Sequence, residues 1–223
     1  MRKVLIKLYH SYTKPAFATI TNIRISSNEK IEEMFKDKFK YIKLKPVVSY
    51  TTRKKRETET DGIQHYFIDD KTAEEKIINE NIITYSQIGE IKYFITEDCL
   101  IDSNIYIIDP QGLYNIKNKL KSKIIKSIYI STPDSLRFSR SSHRSDFNTS
   151  FQKRNDDEND QFTYFEETKK YDYLIENIEL EKSLIEFIFN ICASYSENTL
   201  YCIMGRTGAG KDILTNEVIK FFN

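Results

Sequence analysis

The sequence predicts an α/β domain with a mostly parallel central sheet flanked by helices. Three observations lead to this fold class. Short apolar segments alternate along the chain with amphipathic segments of helical periodicity. Two of the short segments, residues 104–109 and 200–204, are almost entirely apolar, as strands buried on both faces of a parallel sheet usually are. A glycine-rich loop follows the second of them and leads directly into a helix-like segment.

The individual elements follow from local periodicity and from end signals. Strands are predicted where short runs are rich in β-branched and aromatic residues. They cover residues 4–9, 16–21, 45–51, 82–88, 104–109, 126–132, 172–177 and 199–204. Helices are predicted where apolar residues recur at helical spacing, and the first begins with a capping box of Ser26 and Glu29. They cover residues 26–39, 71–81, 150–170, 180–193 and 210–222, whereas the Ser/Arg-rich segment 135–149 is predicted to be a polar loop.

Length and composition restrict the classes of protein that fit. A chain of 223 residues has the size of one domain. Its 34 basic and 33 acidic side chains leave a net charge of +1, so a surface for nucleic acid is not expected. No apolar run approaches the roughly 18 residues of a membrane span. Lys7 also interrupts the N-terminal apolar run before a signal-peptide core forms, and we therefore expect a cytoplasmic protein.

Cysteine and histidine usage argues against a zinc site or a disulfide framework. The three cysteines, Cys99, Cys192 and Cys202, are far apart in the sequence, and no CxxC pair occurs. The chain has only three histidines to complete a zinc site.

Residues 199–215 carry the strongest local signal for function. Gly205, Gly210 and Lys211 match the pattern GxxxxGK between an apolar strand and an amphipathic helix, and Gly208 lies in the same loop. Small residues allow consecutive backbone N–H groups to surround a phosphate at the positive end of the helix, and the lysine reaches the β and γ oxygens. We therefore expect this loop to bind the phosphates of a nucleotide.

The residue after the lysine is Asp212, where this motif usually has Ser or Thr as a Mg²⁺ ligand. Two interpretations stay open. The carboxylate holds Mg²⁺ directly or through water, because hard cations prefer oxygen ligands. Alternatively, it is only a favourable negative charge in the first turn of a helix.

A second group of polar residues follows the strand predicted at 45–51. Arg53 and Arg56 lie three residues apart after two hydroxyl residues, and such a pair can clamp a phosphate monoester through bidentate contacts. From composition alone, a solvated basic turn fits this segment equally well.

Taken with the phosphate loop, this segment resembles the acceptor site of the guanylate kinase family, S-x-TTR-x-x-R-x-x-E-x-x-G. The matching residues are Ser49, Thr51, Thr52, Arg53, Arg56, Glu59, Gly62 and Phe67. The resemblance continues at Tyr93, at the strand end with Asp109, Gln111 and Gly112, and at residues 171–177 (YDYLIEN). Residues 136–154 resemble the lid of the family, with Arg140, Arg144 and Arg154 at its arginine spacings.

The resemblance implies a P-loop kinase fold with acceptor-binding and lid segments. It also implies a nucleoside monophosphate kinase that transfers phosphoryl from MgATP to GMP. By that likeness Arg53, Arg56 and Tyr93 hold the acceptor phosphate, while Ser49 and Asp109 contribute to the base and ribose site. The ATP phosphates are expected at Gly205, Gly208, Gly210, Lys211 and Asp212. Lys211 and the lid arginines, Arg140, Arg144 and Arg154, are expected to stabilise the transferring phosphoryl.

Departures from the family pattern concern the acceptor base. Thr84 replaces the glutamate that recognises guanine, Ile95 replaces a hydroxyl residue, and Ile107 replaces the first aspartate of the strand-end motif. His65 replaces an acceptor-binding tyrosine, with Tyr66 beside it as a candidate substitute. Losing a carboxylate leaves donors of guanine unmatched, so selectivity for GMP is expected to weaken or to shift to a related (deoxy)nucleoside monophosphate. The same losses leave open an impaired module that acts as a binding scaffold.

The order of the parts also differs, because the phosphate loop of the family precedes its acceptor site. In one arrangement the chain is circularly permuted and residues 199–223 complete the same domain as residues 41–198. Residues 1–40 are then an added element. In the other arrangement, residues 16–39 are a degenerate copy of strand, loop and helix, and residues 199–223 begin an incomplete second copy. The sequence alone does not decide between them, and it leaves the oligomeric state open.

Overall fold

The computed structural model describes residues 33, 35–142 and 147–223, which form two four-stranded sheets and their surrounding helices. The strands are β1 (Ser49–Thr51), β2 (His65–Phe67), β3 (Ile82–Ile88), β4 (Ile91–Thr96), β5 (Ile105–Ile107), β6 (Ile124–Ser131), β7 (Tyr173–Glu176) and β8 (Thr199–Met204). The helices are α1 (Lys36–Phe39), α2 (Asp70–Asn79), α3 (Pro110–Lys119), α4 (Asp134–Ser142), α5 (Phe147–Thr168), α6 (Leu180–Ser194) and α7 (Lys211–Phe222). A short 3₁₀ helix covers Glu97–Leu100.

The larger core is built around a parallel sheet with the strand order β5-β8-β6-β7. All six residues of β8 are buried, because this strand lies between β5 and β6 and has helices on both faces. Tyr201 and Ile203 pack in one hydrophobic cluster with residues of α6 and α7. Leu200 and Cys202 belong to the opposite cluster, which contains residues of α3 and α5. This two-sided packing explains why the strand is apolar throughout.

The second sheet has the order β2-β1-β4-β3 and mixes strand directions. β1 pairs with β2 in parallel and with β4 in antiparallel, and β3 and β4 are antiparallel. The two sheets meet where Pro46 forms a parallel bridge with Ile105 and the N–H of Val47 donates to the carbonyl of Ile105. The chain therefore passes directly from the edge of the parallel sheet into β1.

The predicted fold class is confirmed, and most of the predicted elements that lie in the described ranges are present. The segment 104–109 was expected in the centre of the sheet, but β5 lies at its edge. The predicted loop 135–149 is wrong over Asp134–Ser142, which is helix α4. The buried residues of this helix, Arg137 and Ser141, are polar, so the helix shows no apolar periodicity.

Other elements were not predicted from the sequence, namely β2, β4 and α3. Helix α3 has clear end signals, because the side chain of Asp109 caps it by accepting from the N–H of Gly112, and Pro110 occupies its first turn. The predicted strands 4–9 and 16–21 and most of the predicted helix 26–39 lie outside the described residues. Within the described ranges, no helix is both long and apolar enough to cross a membrane.

Candidate active site

The glycine-rich loop connects β8 to α7 and takes a shape that only glycine permits at two positions. Gly208 and Gly210 have φ angles of 81° and 84°. A Cβ atom on Gly208 would lie 2.6 Å from the carbonyl oxygen of Arg137, and one on Gly210 would lie 2.6 Å from Nδ2 of Asn177. The loop is therefore closely packed against its supports, and a side chain at either position would both strain the backbone and force these groups apart.

Carbonyl groups of the loop are held by side chains from neighbouring elements. Nη1 of Arg137 donates to the carbonyl of Thr207 at 2.9 Å, and Nδ2 of Asn177 donates to the carbonyl of Ala209 at 2.8 Å. Nζ of Lys211 donates to the carbonyl of Gly205 at 2.6 Å. Within the described ranges, the N–H groups of Gly208 and Gly210 have no acceptor, so the loop keeps backbone donors for an anion.

Arg140, one of the predicted lid arginines, lies beside this loop. Its Nη1 donates to the carbonyl of Asn177 at 3.0 Å and its Nη2 to the carbonyl of Ile178 at 3.2 Å. A Cβ atom on Gly210 would lie 3.7 Å from that Nη1. The other two predicted lid arginines are not described in full. Arg144 lies outside the described residues, and so does the side chain of Arg154.

Helix α5 contacts the loop through two carboxylates, those of Glu158 and Glu166. Glu158 accepts from the N–H of Thr207 at 2.9 Å and from its hydroxyl at 2.7 Å. Glu166 accepts from Nε and Nη2 of Arg206, both at 2.9 Å, and from the hydroxyl of Tyr129. Burial alone would raise the pKa of Glu166, but the hydrogen bonds from Arg206 and Tyr129 outweigh it and the pKa is lowered. These contacts fix one side of the loop to α5.

The predicted acceptor arginines are organised by one carboxylate. Glu59 accepts from Nη1 and Nη2 of Arg53 at 3.0 and 2.8 Å and from the backbone N–H of Arg56 at 2.8 Å. The Arg53 and Glu59 side chains are only 11% and 12% exposed. Burial raises the pKa of Glu59, but the bonds from Arg53 and Arg56 dominate and lower it to about 2. Glu59 is therefore an anion at all physiological pH values and holds both arginines in place.

Three strands bring further polar side chains to this arginine cluster. Oγ of Ser49 on β1 is 2.9 Å from Nδ1 of His65 on β2, and the His65 ring is 6.0 Å from the ring of Tyr93 on β4. Burial lowers the pKa of Arg53, but the interactions with Glu59 and Tyr93 raise it overall. Tyr66 packs 4.9 Å from the ring of Tyr50, on the other face of the sheet. His65, and not Tyr66, is therefore on the face of Ser49 and Phe67, where the ring of Phe67 packs against Arg53.

Of the two residues expected at the base and ribose site, Ser49 lies on β1 and Asp109 caps the start of α3. Burial is the main cause of the raised pKa of Asp109, and the charge of Glu158 adds to it, whereas hydrogen bonds from Gly112 and Ser86 oppose it. Thr84 is buried on the same strand as Ser86, and Ile95 on β4 is fully buried. The buried residue at the position of the guanine-reading glutamate thus carries a hydroxyl group.

Weaker electrostatic effects also reach the residues near the arginine pair. Burial is the main cause of the lowered pKa of His65 and Arg53 lowers it further, whereas Glu59 and Asp212 oppose this change. The carboxylate of Glu158, which is bonded to the loop, adds to the raised pKa of Asp109, for which burial is the main cause.

Comparison with known proteins identifies the family of this chain. The family model described as Guanylate kinase matches residues 26–188. This chain belongs to the guanylate kinase family. The guanylate kinase of Campylobacter jejuni strain RM1221 is 31% identical over 144 residues, which cover 61% of this chain and 68% of that protein. The guanylate kinase of Buchnera aphidicola subsp. Schizaphis graminum is 30% identical over 162 residues, covering 69% of this chain and 75% of that protein.

A solved structure supports the same assignment at the level of the fold. The crystal structure of guanylate kinase from Anaplasma phagocytophilum superposes with a TM-score of 0.51 at 18% sequence identity. The match covers 76% of this chain and 83% of that structure, which shows the P-loop kinase fold. Membership of the guanylate kinase family makes this chain a nucleoside monophosphate kinase, that is, a phosphotransferase.

Proposed function

We propose that this kinase transfers the γ-phosphoryl group of ATP to GMP or a related (deoxy)nucleoside monophosphate. The observation that carries this proposal is that one chain contains two groups suited to bind phosphate. One is the loop with backbone donors at Gly208 and Gly210. The other is the arginine pair held by Glu59.

On the donor side, we assign the β and γ phosphates to the loop residues Gly205, Gly208 and Gly210 and to Lys211. Lys211 now donates to a loop carbonyl, and a bound phosphate would offer its ammonium group a charged acceptor instead. Arg140 lies beside the loop and is assigned to the transferring phosphoryl. Arg144 and Arg154 stay proposed lid residues on the strength of the sequence alone.

On the acceptor side, Arg53, Arg56 and Tyr93 are assigned to the phosphate. Phosphoryl transfer needs little covalent help from the protein, so fixing this phosphate in line with the donor is the main catalytic task. Ser49 and Asp109 are assigned to the base and ribose. We expect altered selectivity among bases, because the buried hydroxyl of Thr84 offers no negative charge to the N–H donors of guanine.

The residues near Lys211 fit a Mg²⁺ ion that is held mainly by nucleotide phosphates. Asp212 presents an exposed carboxylate at the start of α7. Mg²⁺ is usually bound by one or two carboxylates together with substrate phosphates and water. The described residues contain no group of three or more His, Cys, Asp or Glu residues that could hold a metal ion. When bound, the ion neutralises charge on the β and γ oxygens, and Asp212 would orient it.

We further propose that the segment 199–223 is circularly permuted relative to the family and serves the same domain as residues 41–198. Support comes from the register of β8, in which Cys202 pairs with Tyr106 on β5 and with Ser127 on β6. An inserted central strand has its backbone groups paired on both sides, as a buried strand requires. The family-model match ends at residue 188, before this segment.

A coupled assay of ADP release tests the proposed function. GMP, dGMP, AMP and dTMP are supplied with MgATP, and we expect turnover with at least one of them. Lys211→Ala and Arg53→Ala should each abolish it, because they remove donor and acceptor charge respectively. Lys220→Ala is the matched control, since Lys220 lies on α7 and is an exposed lysine that bonds Glu217 on the surface. Absence of turnover with every acceptor would refute the proposal.

The impaired scaffold is the second candidate, and one contact favours it. The carboxylate of Glu158 already bonds Thr207 in the loop, so a negative charge lies where phosphates are expected. Titration calorimetry separates the two candidates. Tight binding of MgATP that Lys211→Ala abolishes supports the kinase, whereas an absence of MgATP binding would support the scaffold.

A further inference from the structure

Lysines are concentrated in two segments of the chain that the proposed function does not use. Residues 36–45 and 117–126 contain ten lysines and a single acidic residue, although the whole chain has nearly equal numbers of basic and acidic side chains. The net charge of +1 therefore does not reveal a strong local excess of positive charge. A clustered excess of this kind is a feature of surfaces that bind polyanions.

The fold brings the two segments together at the amino-terminal edge of the parallel sheet. The carbonyl of Lys45 accepts hydrogen bonds from the start of β5, and Lys123 directly precedes β6. Lys43, Lys45 and Lys123 line one cleft of about 280 Å³, which we call the basic cleft, and Asp102 and Glu197 also line it. The phosphate loop follows the opposite end of β8, about 20 Å away, which is the length of this six-residue strand.

The protein itself neutralises the lysines of the basic cleft only weakly. In the part of the chain that the structure describes, no carboxylate forms an ion pair with Lys43 or Lys123. Lys45 reaches Asp102 at 4.0 Å, and both side chains are more than half exposed, so this pair contributes little. By contrast, lysines of α6 and α7 bond a neighbouring carboxylate at 2.6 and 2.7 Å. The cleft therefore keeps positive charge for a ligand.

An exposed aromatic ring precedes these lysines on the same side of the chain. Along residues 41–45 exposed and buried residues alternate, and the even-numbered ones lie in the core. Tyr41, Lys43 and Lys45 are therefore on the outer side of this segment. Tyr41 is 65% exposed, and the ammonium group of Lys40 lies 4.8 Å from the centre of its ring. Proteins that bind single strands combine such rings, on which bases stack, with positive charge along the backbone of the strand.

We propose that the basic cleft and Tyr41 form a binding surface for single-stranded nucleic acid. A base stacks on Tyr41, and the phosphates that follow contact Lys43, Lys45 and Lys123. A single strand fits this arrangement better than a duplex, because its unpaired bases are free to stack. It also fits better than a membrane, because a bilayer surface meets protruding side chains, whereas these lysines line a recess. The surface is separate from both phosphate sites of the proposed kinase.

Fluorescence anisotropy with a labelled oligouridylate of about 12 nucleotides tests this surface, and an oligodeoxythymidylate of the same length shows whether the sugar matters. We expect the full chain to bind with a dissociation constant of about 1–100 μM at physiological salt. The triple variant Lys43→Gln, Lys45→Gln, Lys123→Gln should weaken binding by about tenfold or more. It should also make the dependence of log K on log salt shallower by about 2, since each phosphate contact contributes about 0.7.

A second triple variant is the matched control for charge. Lys71→Gln, Lys182→Gln and Lys220→Gln remove the same charge from lysines that are paired with carboxylates on α2, α6 and α7. Together they should change the affinity for the oligonucleotide much less than the cleft variant does. Both triple variants should keep the circular dichroism spectrum and the kinase turnover of the wild-type chain, because these lysines lie outside the assigned kinase sites.

Tyr41→Ala tests the stacking part of the proposal by itself. It should weaken binding by about fivefold or more, in the range of one lost base–aromatic contact. The salt dependence should stay as in the wild-type chain, because the substitution removes no charge. An unchanged affinity would overturn the role of Tyr41.

The remaining outcomes decide on the surface as a whole. Weakening by the cleft variant, with little change in the control variant, supports the inference. Equal weakening by both triple variants would indicate diffuse attraction and overturn it. Competition by GMP or MgATP would place the oligonucleotide in the kinase sites and would also overturn it. The same holds if the wild-type chain binds no oligonucleotide, including the case in which it binds vesicles of phosphatidylserine instead.

Discussion

Replacing Glu59 with glutamine should destabilise the protein in a pH-dependent way. The carboxylate forms two hydrogen bonds with Arg53 and one with the backbone N–H of Arg56. Both side chains of the Arg53–Glu59 pair are nearly buried. Glutamine has almost the same shape and keeps one acceptor oxygen, but it lacks the negative charge. The substitution therefore isolates the electrostatic part of this contact.

The magnitude follows from the pKa of Glu59, which folding lowers from 4.5 to about 2. Each pH unit of such a change corresponds to about 1.36 kcal/mol, so the charged carboxylate contributes roughly 3 kcal/mol to the free energy of unfolding at pH 7. This figure already includes the interaction of the carboxylate with the Arg53 guanidinium. We expect Glu59→Gln to lower the free energy of unfolding by about 3 kcal/mol.

The sign of the pH dependence follows from the lowered pKa. Because the unfolded chain binds a proton at Glu59 more readily than the folded chain, the contribution is fully present above pH 4.5 and is lost as pH falls toward 2. Roughly half of the difference between wild-type and Glu59→Gln chains should have disappeared by about pH 3. The other carboxylates titrate in both chains, so they cancel in this difference.

Urea denaturation at pH 7, 5, 4 and 3, monitored by circular dichroism, measures the effect. Glu57→Gln is the control, since Glu57 is an exposed acidic residue of the same turn. It should change the free energy of unfolding by less than about 0.5 kcal/mol. A difference for Glu59→Gln that is small at pH 7, or that stays constant from pH 7 to pH 3, would refute the electrostatic account of the arginine pair.

Other predictions concern the loop. Gly208→Ala should destabilise the fold by about 1–3 kcal/mol and abolish MgATP binding, because Gly208 has positive φ and lies against the carbonyl of Arg137; urea denaturation and calorimetry check both effects. Glu158→Gln should lower KM for ATP several-fold in steady-state kinetics, because it removes a negative charge bonded to the loop; an unchanged KM would contradict this. Arg206→Met should lower the free energy of unfolding by about 1 kcal/mol, because the partly exposed pair with Glu166 is lost; Glu166→Gln should show a similar loss in the same urea experiment.

Features that are encoded by one short segment were predicted from the sequence. The loop is encoded within one short segment, and its glycines and lysine are recognisable without knowledge of their neighbours. The buried strand β8 was also predicted, because packing on both faces requires an apolar run. The match to the arginine pattern located Arg53 and Arg56 but did not reveal that Glu59 bonds both of them.

Features that depend on distant residues were missed. Arg137 supports the loop by donating to Thr207, 70 residues away, and nothing in the local sequence indicates this contact. Helix α4 was mistaken for a loop because the residues that it buries are polar. The sequence left open which of His65 and Tyr66 lies on the same face of the sheet as Ser49. The register of β2 against β1 decides this, since a shift of one residue exchanges the two faces of the strand.

The most direct test of a single active site mixes two inactive variants. Lys211→Ala lacks the donor lysine and Arg53→Ala lacks an acceptor arginine, and each is assayed alone, mixed with the other, and beside the wild-type chain. If loop and acceptor cluster of the same molecule form one site, the wild-type chain turns over and the mixture stays as inactive as either variant. Activity in the mixture would show that the loop of one molecule serves the acceptor cluster of another, which would contradict the account.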